Sequence, residues 1–454
     1  MCIRDRDVRE RIASIGVKAN YDASVGRLPD PLQGSKITPE VSGIYSDTFA
    51  DRKLGVAISG SYSKRDSGSN KAYTQNGWGT NNANVKNASP STNIVNMPTG
   101  LYATSRELRY SLTGMERERL NGQATLQYAP SKDLKFTVDH TMAVNTLHSK
   151  NAEMSSWFNN AFSNVVTDQG VTTGSLGSSP ATKFTTGPVA APIIQTAIWD
   201  GSHDLALNTG QYGQKSKLSS TGFNAEWKVS DALRIDVDAH HSKAKTSPDS
   251  PFGTYSVMDL AMFNQGNATA YYDKDFPILS LPGQKLDDTK MNVTGTQFRN
   301  NLSDQTVDQA QARGTYRIDA DNKLLAGLGF TKTKNRSASY NHQNDDWSGV
   351  APALGAFAGI STGTYGLGGF FNRIPGHDDS RLFSSFYMAD FASLRDRAIK
   401  VKMANTPGMT QAQAEAYFAA GTDYSKGDDW RATEKSTSVS VSYTHLTLPT
   451  KRIV

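Results

Sequence analysis

Between Arg117 and Met142 the chain alternates with a period of two, and this constrains the fold more than any other feature. Leu120, Gly122, Ala124, Leu126 and Tyr128 share one parity, with Asn121, Gln123, Thr125 and Gln127 on the other. That is a strand with one apolar and one polar face. After the turn residues Ala129-Pro130-Ser131-Lys132-Asp133, the pattern resumes with Leu134, Phe136 and Val138 opposite Lys135, Thr137, Asp139 and Thr141. The pair reads as a long hairpin. Strands of soluble sandwiches run about five or six residues, and a tilted strand crossing a bilayer needs roughly nine to eleven. Each arm is of the longer kind, with Tyr128 closing the apolar face where a strand would leave lipid.

The same scheme recurs along the chain. Ile15 to Tyr21 and Leu54 to Ser63 alternate, and Val41, Gly43 and Tyr45 form a weaker strand between them. Thr221 to Lys228 and Leu233 to His240 make a second hairpin about Ser230-Asp231. Ala310 to Ile318 and Leu324 to Phe330 make a third, and Val439 and Val441 begin a last strand. Long polar segments separate the hairpins, at about 66–109, 150–214, 243–303 and 335–431. The last of these carries a helix predicted over Gln411 to Ala420, capped by Thr410 and ended by Gly421. Short and long connections alternate, as in a barrel with tight turns on one side of a membrane and long loops on the other. The expected class is all-β: a partial antiparallel transmembrane β-barrel, about ten strands of a larger one, with long extracellular loops.

Composition sets limits rather than an answer. Hydrophobic residues are 37%, and no run approaches the roughly 18 apolar residues of a membrane helix. Barrel strands hide their apolar half in alternation, so a membrane is not excluded. The net charge of +5 comes from dispersed basic and acidic residues, which gives no nucleic-acid stripe. Cys2, the single cysteine, can form no internal disulfide and belongs to no metal motif. Residues 1–6 and 442–454 resemble translated adapter sequence at the edges of assembled fragments. The expected organisation is therefore a lead-in at 1–12, a barrel portion at 13–441 and a non-native terminus at 442–454.

The run from Ser46 to Asp66, together with Arg109-Tyr110, Glu116 to Gln123 and Leu126 to Pro130, resembles the early barrel of TonB-dependent outer-membrane receptors. The likeness is greatest to the branch common in Xanthomonas-like and Caulobacter-like bacteria. The resemblance implies a Gram-negative outer-membrane location, with membrane lipid as a partner. It also implies the TonB energy-coupling complex, engaged through a plug lying upstream of a fragment of a 22-stranded plugged barrel. The implied function is energised uptake of a ligand, an oligosaccharide or else a ferric siderophore. A passive porin and a secreted β-rich adhesin are the alternatives.

No nucleotide loop, zincin motif, nucleophile elbow or cysteine pair occurs, so no catalytic residue, metal site or cofactor is assigned and an enzyme is not expected. Asp236, Asp238 and His240 share a strand face and are of metal-ligand type, but beside Arg234 the commoner role is lining a wet lumen. The Glu116-Arg117-Glu118-Arg119 run reads as a solvated strand extension. Aromatics in the long segments, Trp78, Trp157, Phe158, Trp199, Tyr271, Tyr272 and Trp347, form the candidate ligand-binding set, since exposed rings are common hot spots. Packing loops against one another is their other role.

Overall fold

The computed structural model describes residues 11–74, 78–82, 88–95, 101–105, 107–157, 162–167, 172–174, 189–191, 194–199, 205–262, 267–345 and 355–445. Their fold is dominated by one antiparallel sheet of eleven strands. These are β1 (Ile12–Tyr21), β2 (Ile37–Phe49), β3 (Leu54–Tyr73), β4 (Glu107–Tyr128), β5 (Leu134–Trp157), β6 (Leu205–Lys228), β7 (Leu233–Pro248), β8 (Tyr255–Met262), β9 (Met291–Arg317), β10 (Asn322–Asn344) and β11 (Asp428–His445). Neighbours follow chain order, except that β7 stops at Pro248 and β8 takes its place between the upper parts of β6 and β9. Among the described residues β1 pairs only with β2, and β11 only with β10. No helix described here is long and apolar enough to cross a membrane.

All ten predicted strands occur, each as part of a longer one, with Ile318 alone falling just past the end of its strand, β9. β9 runs 27 residues, and β5 and β6 run 24 each. The two ends of each long polar segment are thus continuations of the flanking strands, and the third hides β8 entirely. β2 is regular throughout, with Ile44 on the polar face. β11 passes the predicted boundary at 442: Ser442 and Tyr443 pair with Leu325 and Leu324, and the Tyr443 hydroxyl bonds Asn322. Residues 1–10 and 446–454 lie outside the described residues. The predicted helix is α2 (Gln411–Tyr417), with a capping box between Thr410 and Gln413. It stops before Ala420, and Phe418, rather than Gly421, is its C-cap. A longer helix, α1 (Phe391–Asn405), precedes it, with the Asp390 carboxylate accepting from the Ser393 N–H at 2.9 Å.

Register partners on adjacent strands project to the same face. The rows therefore align the apolar residues of all the long strands. Tyr45 pairs with Ile58, Val56 with Leu126, Leu126 with Val138, Val138 with Phe223, and Trp227 with Ile235. The series continues through Tyr316 with Leu324 and Leu328 with Val439. Most of the side chains on this face stay exposed: Ile58 is 53%, Leu328 58% and Val441 70% accessible. Gln127, Thr137, Asn224, Asp236 and Gly329 occupy the opposite face.

Toward the ends bearing the long connections, the same apolar face is covered. Leu108, Tyr110, Leu112, Met154, Leu205, Met258 and Phe298 pack there against Phe276, Phe371, Phe386, Phe391 and Phe418 from the connections. Each fully buried large side chain contributes about 1.5–3 kcal/mol. The open apolar band and the closed core are therefore consecutive stretches of one sheet face.

Candidate ligand-binding face

On the polar face, at the level of that core, charged side chains converge. Ser111, Glu153, Asn208 and Asp259 form one register row across β4, β5, β6 and β8. Arg109, two residues from Ser111, bonds Glu107 and Glu153 at 2.5 Å each. The Tyr73 hydroxyl donates to Glu153 at 3.1 Å, and the Asn208 amide donates to it at 3.3 Å. Next along β6 and β8 the rings of Tyr212 and Tyr255 meet with centroids 4.8 Å apart. Gly210 makes room for the Tyr212 ring, since a Cβ there would lie 2.5 Å from the Tyr212 hydroxyl.

Burial raises the Glu153 carboxyl against the opposing pull of Arg109. Burial also works against the Arg109 charge, which Glu153 and Glu107 more than offset. Asp259 forms no salt bridge among the described residues, and burial, only partly opposed by the charge of Arg109, pushes it up to about 7. Among the described residues, one of its carboxylate oxygens and the side-chain oxygen of Asn208 are buried without a hydrogen bond. Three carboxyl groups around one guanidinium make this patch rich in acceptors. It suits hydroxyl or amine donors and repels polyanions.

Of the sequence-predicted set, Tyr271 and Tyr272 are described in full. Tyr272 is bound through its hydroxyl to Ser105. Tyr271 lies against the core with the Arg381 guanidinium 4.2 Å from its ring centre, and Arg381 is itself held by Asp379 at 2.9 Å and Asp273 at 3.2 Å. Both rings thus pack the connections together. Trp199 lies on a strand paired with that of Tyr271, Trp78 pairs in register with Ser105, and Trp157 with Glu107. The backbone brings these positions to the end of the sheet that bears the long connections. The side chains of Trp78, Trp157 and Trp199, and all of Phe158 and Trp347, lie outside the described residues.

Asp236, Asp238 and His240 do share the polar face. Arg234 bonds Asp236 at 2.8 Å and Glu226 at 2.9 Å, and Asn224 donates to Asp238 at 3.5 Å. Among the described residues no three His, Cys, Asp or Glu side chains are grouped to hold a metal. The Glu116 to Arg119 run lies within β4, where Lys64 meets Glu116 at 2.9 Å and Glu118 at 3.9 Å.

The Arg109 cluster is not found from the sequence because Glu107 to Arg109 falls at the end of a segment read as polar connection, and Tyr110 to Gly114 lies before the first residue assigned to the hairpin. Its signal was present, since Leu108, Tyr110 and Leu112 alternate with Arg109, Ser111 and Thr113. Comparison with protein-family models, with curated proteins and with solved structures finds no match for this chain.

Proposed function

We propose that this chain forms part of the barrel wall of an outer-membrane receptor that takes up a neutral oligosaccharide with energy supplied through TonB. The observation that carries the reading is the exposed apolar band, in register from β1 to β11, backed by a polar face. In water such a band is a liability of many exposed side chains. Against hydrocarbon it is the ordinary outer surface of a barrel. Tight turns at one end of the sheet and long connections at the other support the same orientation.

Among the described residues the outer flanks of β1 and β11 are unpaired, which fits a wall completed by further strands, because an open edge in lipid leaves groups unsatisfied at several kcal/mol each. The acceptor-rich cluster around Glu153 favours a sugar over an anionic ferric chelate. Titration calorimetry on the complete receptor tests the reading. Neutral oligosaccharide should bind, and Trp157→Ala and Trp347→Ala should each weaken it by about 1–2 kcal/mol. Tight ferric-siderophore binding without sugar binding would overturn the ligand class, and passive diffusion without saturation would leave a porin.

A further inference from the structure

Lysines scattered through the sequence assemble on the apolar face immediately beyond the exposed band. On β7 the row Ile235, Val237, Ala239 continues as His241, Lys243, Lys245, and on β10 the row Leu328, Phe330 continues as Lys332, Lys334, Arg336. Register sets Lys217 beside Lys245, Lys332 beside Lys435, and Arg336 beside Arg431. Three acids answer them. Asp308 bonds His241 at 2.6 Å, and Asp429 holds Arg336 and Arg431 at 2.9 and 2.8 Å. Asp304 sits between Lys245 and Arg336. Lys217, Lys243, Lys245, Lys334 and Lys435 are exposed, and no salt bridge is formed by them among the described residues.

The patch is local to β6–β11. At the corresponding place on β3 and β4, Lys64 is outnumbered by Asp66, Glu116 and Glu118. Successive residues on one face are roughly 7 Å apart along a strand, so on tilted strands these ammonium groups stand just outside the hydrocarbon edge. That is headgroup depth, on the side of the long connections.

We propose that this belt binds the phosphate groups of anionic lipid in the leaflet on that side. The proposal rests on the apolar band facing lipid. An ammonium near an anionic membrane surface changes binding on the order of fivefold, and the effect falls off within a Debye length, so it should weaken with salt.

The test immobilises the chain at low density, so that its free sheet edges cannot pair between copies, and bathes it in neutral detergent micelles doped with phosphatidylglycerol or phosphatidylcholine. Phosphatidylglycerol should be retained in excess, and Lys245→Gln/Lys334→Gln/Lys435→Gln should cut that excess at least about tenfold at low salt. The control Lys53→Gln/Lys132→Gln/Lys285→Gln, which removes equal charge elsewhere, should leave it unchanged. Equal retention of the two lipids, or an unaffected belt variant, overturns the belt while leaving the lipid-facing reading in place. Displacement by comparable inorganic phosphate would make it a site for the free anion instead. Retention of neither lipid overturns the lipid-facing reading itself.

Discussion

Gly68 and Gly114 are register partners on β3 and β4, and the loop joining β1 to β2 lies directly on them. A Cβ at Gly114 would stand 2.1 Å from the Leu32 carbonyl oxygen, and one at Gly68 would stand 2.5 Å from that of Ser24. The bare strip lets Leu28 and Leu32 reach the core. Gly114→Ala should therefore lift the loop, costing about 1–3 kcal/mol as overpacking does. Limited trypsin digestion at Arg27 reads the displacement as faster cleavage. Gly314→Ala, with open space around the added carbon, should cut at the parent rate; equal rates for all three proteins would show that the loop does not depend on the strip.

Tyr110 ties β4 to the connection between β8 and β9. Its hydroxyl donates to the Pro277 carbonyl at 2.7 Å and accepts from the Leu279 N–H at 2.8 Å. Its ring meets Phe276 and Phe371 with centroids 5.5 and 6.0 Å away. Tyr110→Phe keeps the packing and strands two buried backbone groups, so a loss of about 1–3 kcal/mol is expected. Denaturant unfolding measures it, and a change below the scatter would mean that water replaces the hydroxyl.

Asp259 should make stability depend on pH. Its folded value of about 7 lies above the ordinary 3.8, so the folded state holds a proton the unfolded state has released. Stability should fall as pH rises from about 4 to 7 and level off above, by on the order of 2–4 kcal/mol in all. Asp259→Asn should flatten this component and be the more stable protein at pH 8, since its amide offers a donor to the open oxygen of Asn208. Parallel unfolding midpoints for the two proteins across that range would show that Asp259 is hydrated and titrates normally.

The two faces of the sheet should differ in what reaches them. Single cysteines replacing Leu126, Phe223 or Leu328 should react with a lipid-soluble maleimide in the membrane-inserted receptor. Those replacing Asn224 or Asp236 should react with a water-soluble one. The reverse pattern would mean the register has slipped by one residue, which would exchange every side chain between faces.

Period-two alternation was written locally, so the sequence by itself determined the strands of the open band, which residues share a face within each, and the short turns. Ser230 shows this at one turn, its hydroxyl accepting the Ala232 and Leu233 N–H groups at 3.2 and 3.1 Å. The capping box of α2 was equally local. α1 was legible too, with Phe391, Leu394, Ala398 and Ile399 on one stripe behind Asp390, but it lay inside a segment read as polar loop. Where a strand is covered on both faces the alternation fades, as at Leu205, Ala206 and Leu207, all buried. That hid the upper part of β6 and the end of β8, whereas the upper part of β4 keeps its alternation.

Register between strands is a different kind of information. It depends on pairs distant in the chain, such as Val56 with Leu126, 70 residues apart, and Leu328 with Val439, 111 apart, and no local pattern encodes it. Only the tertiary structure could turn dispersed lysines into a belt, set Asp259 beside Asn208, and fold distant connections over the upper apolar face. Side-chain chemistry fixed the strands, and pairing between strands decided what that chemistry became.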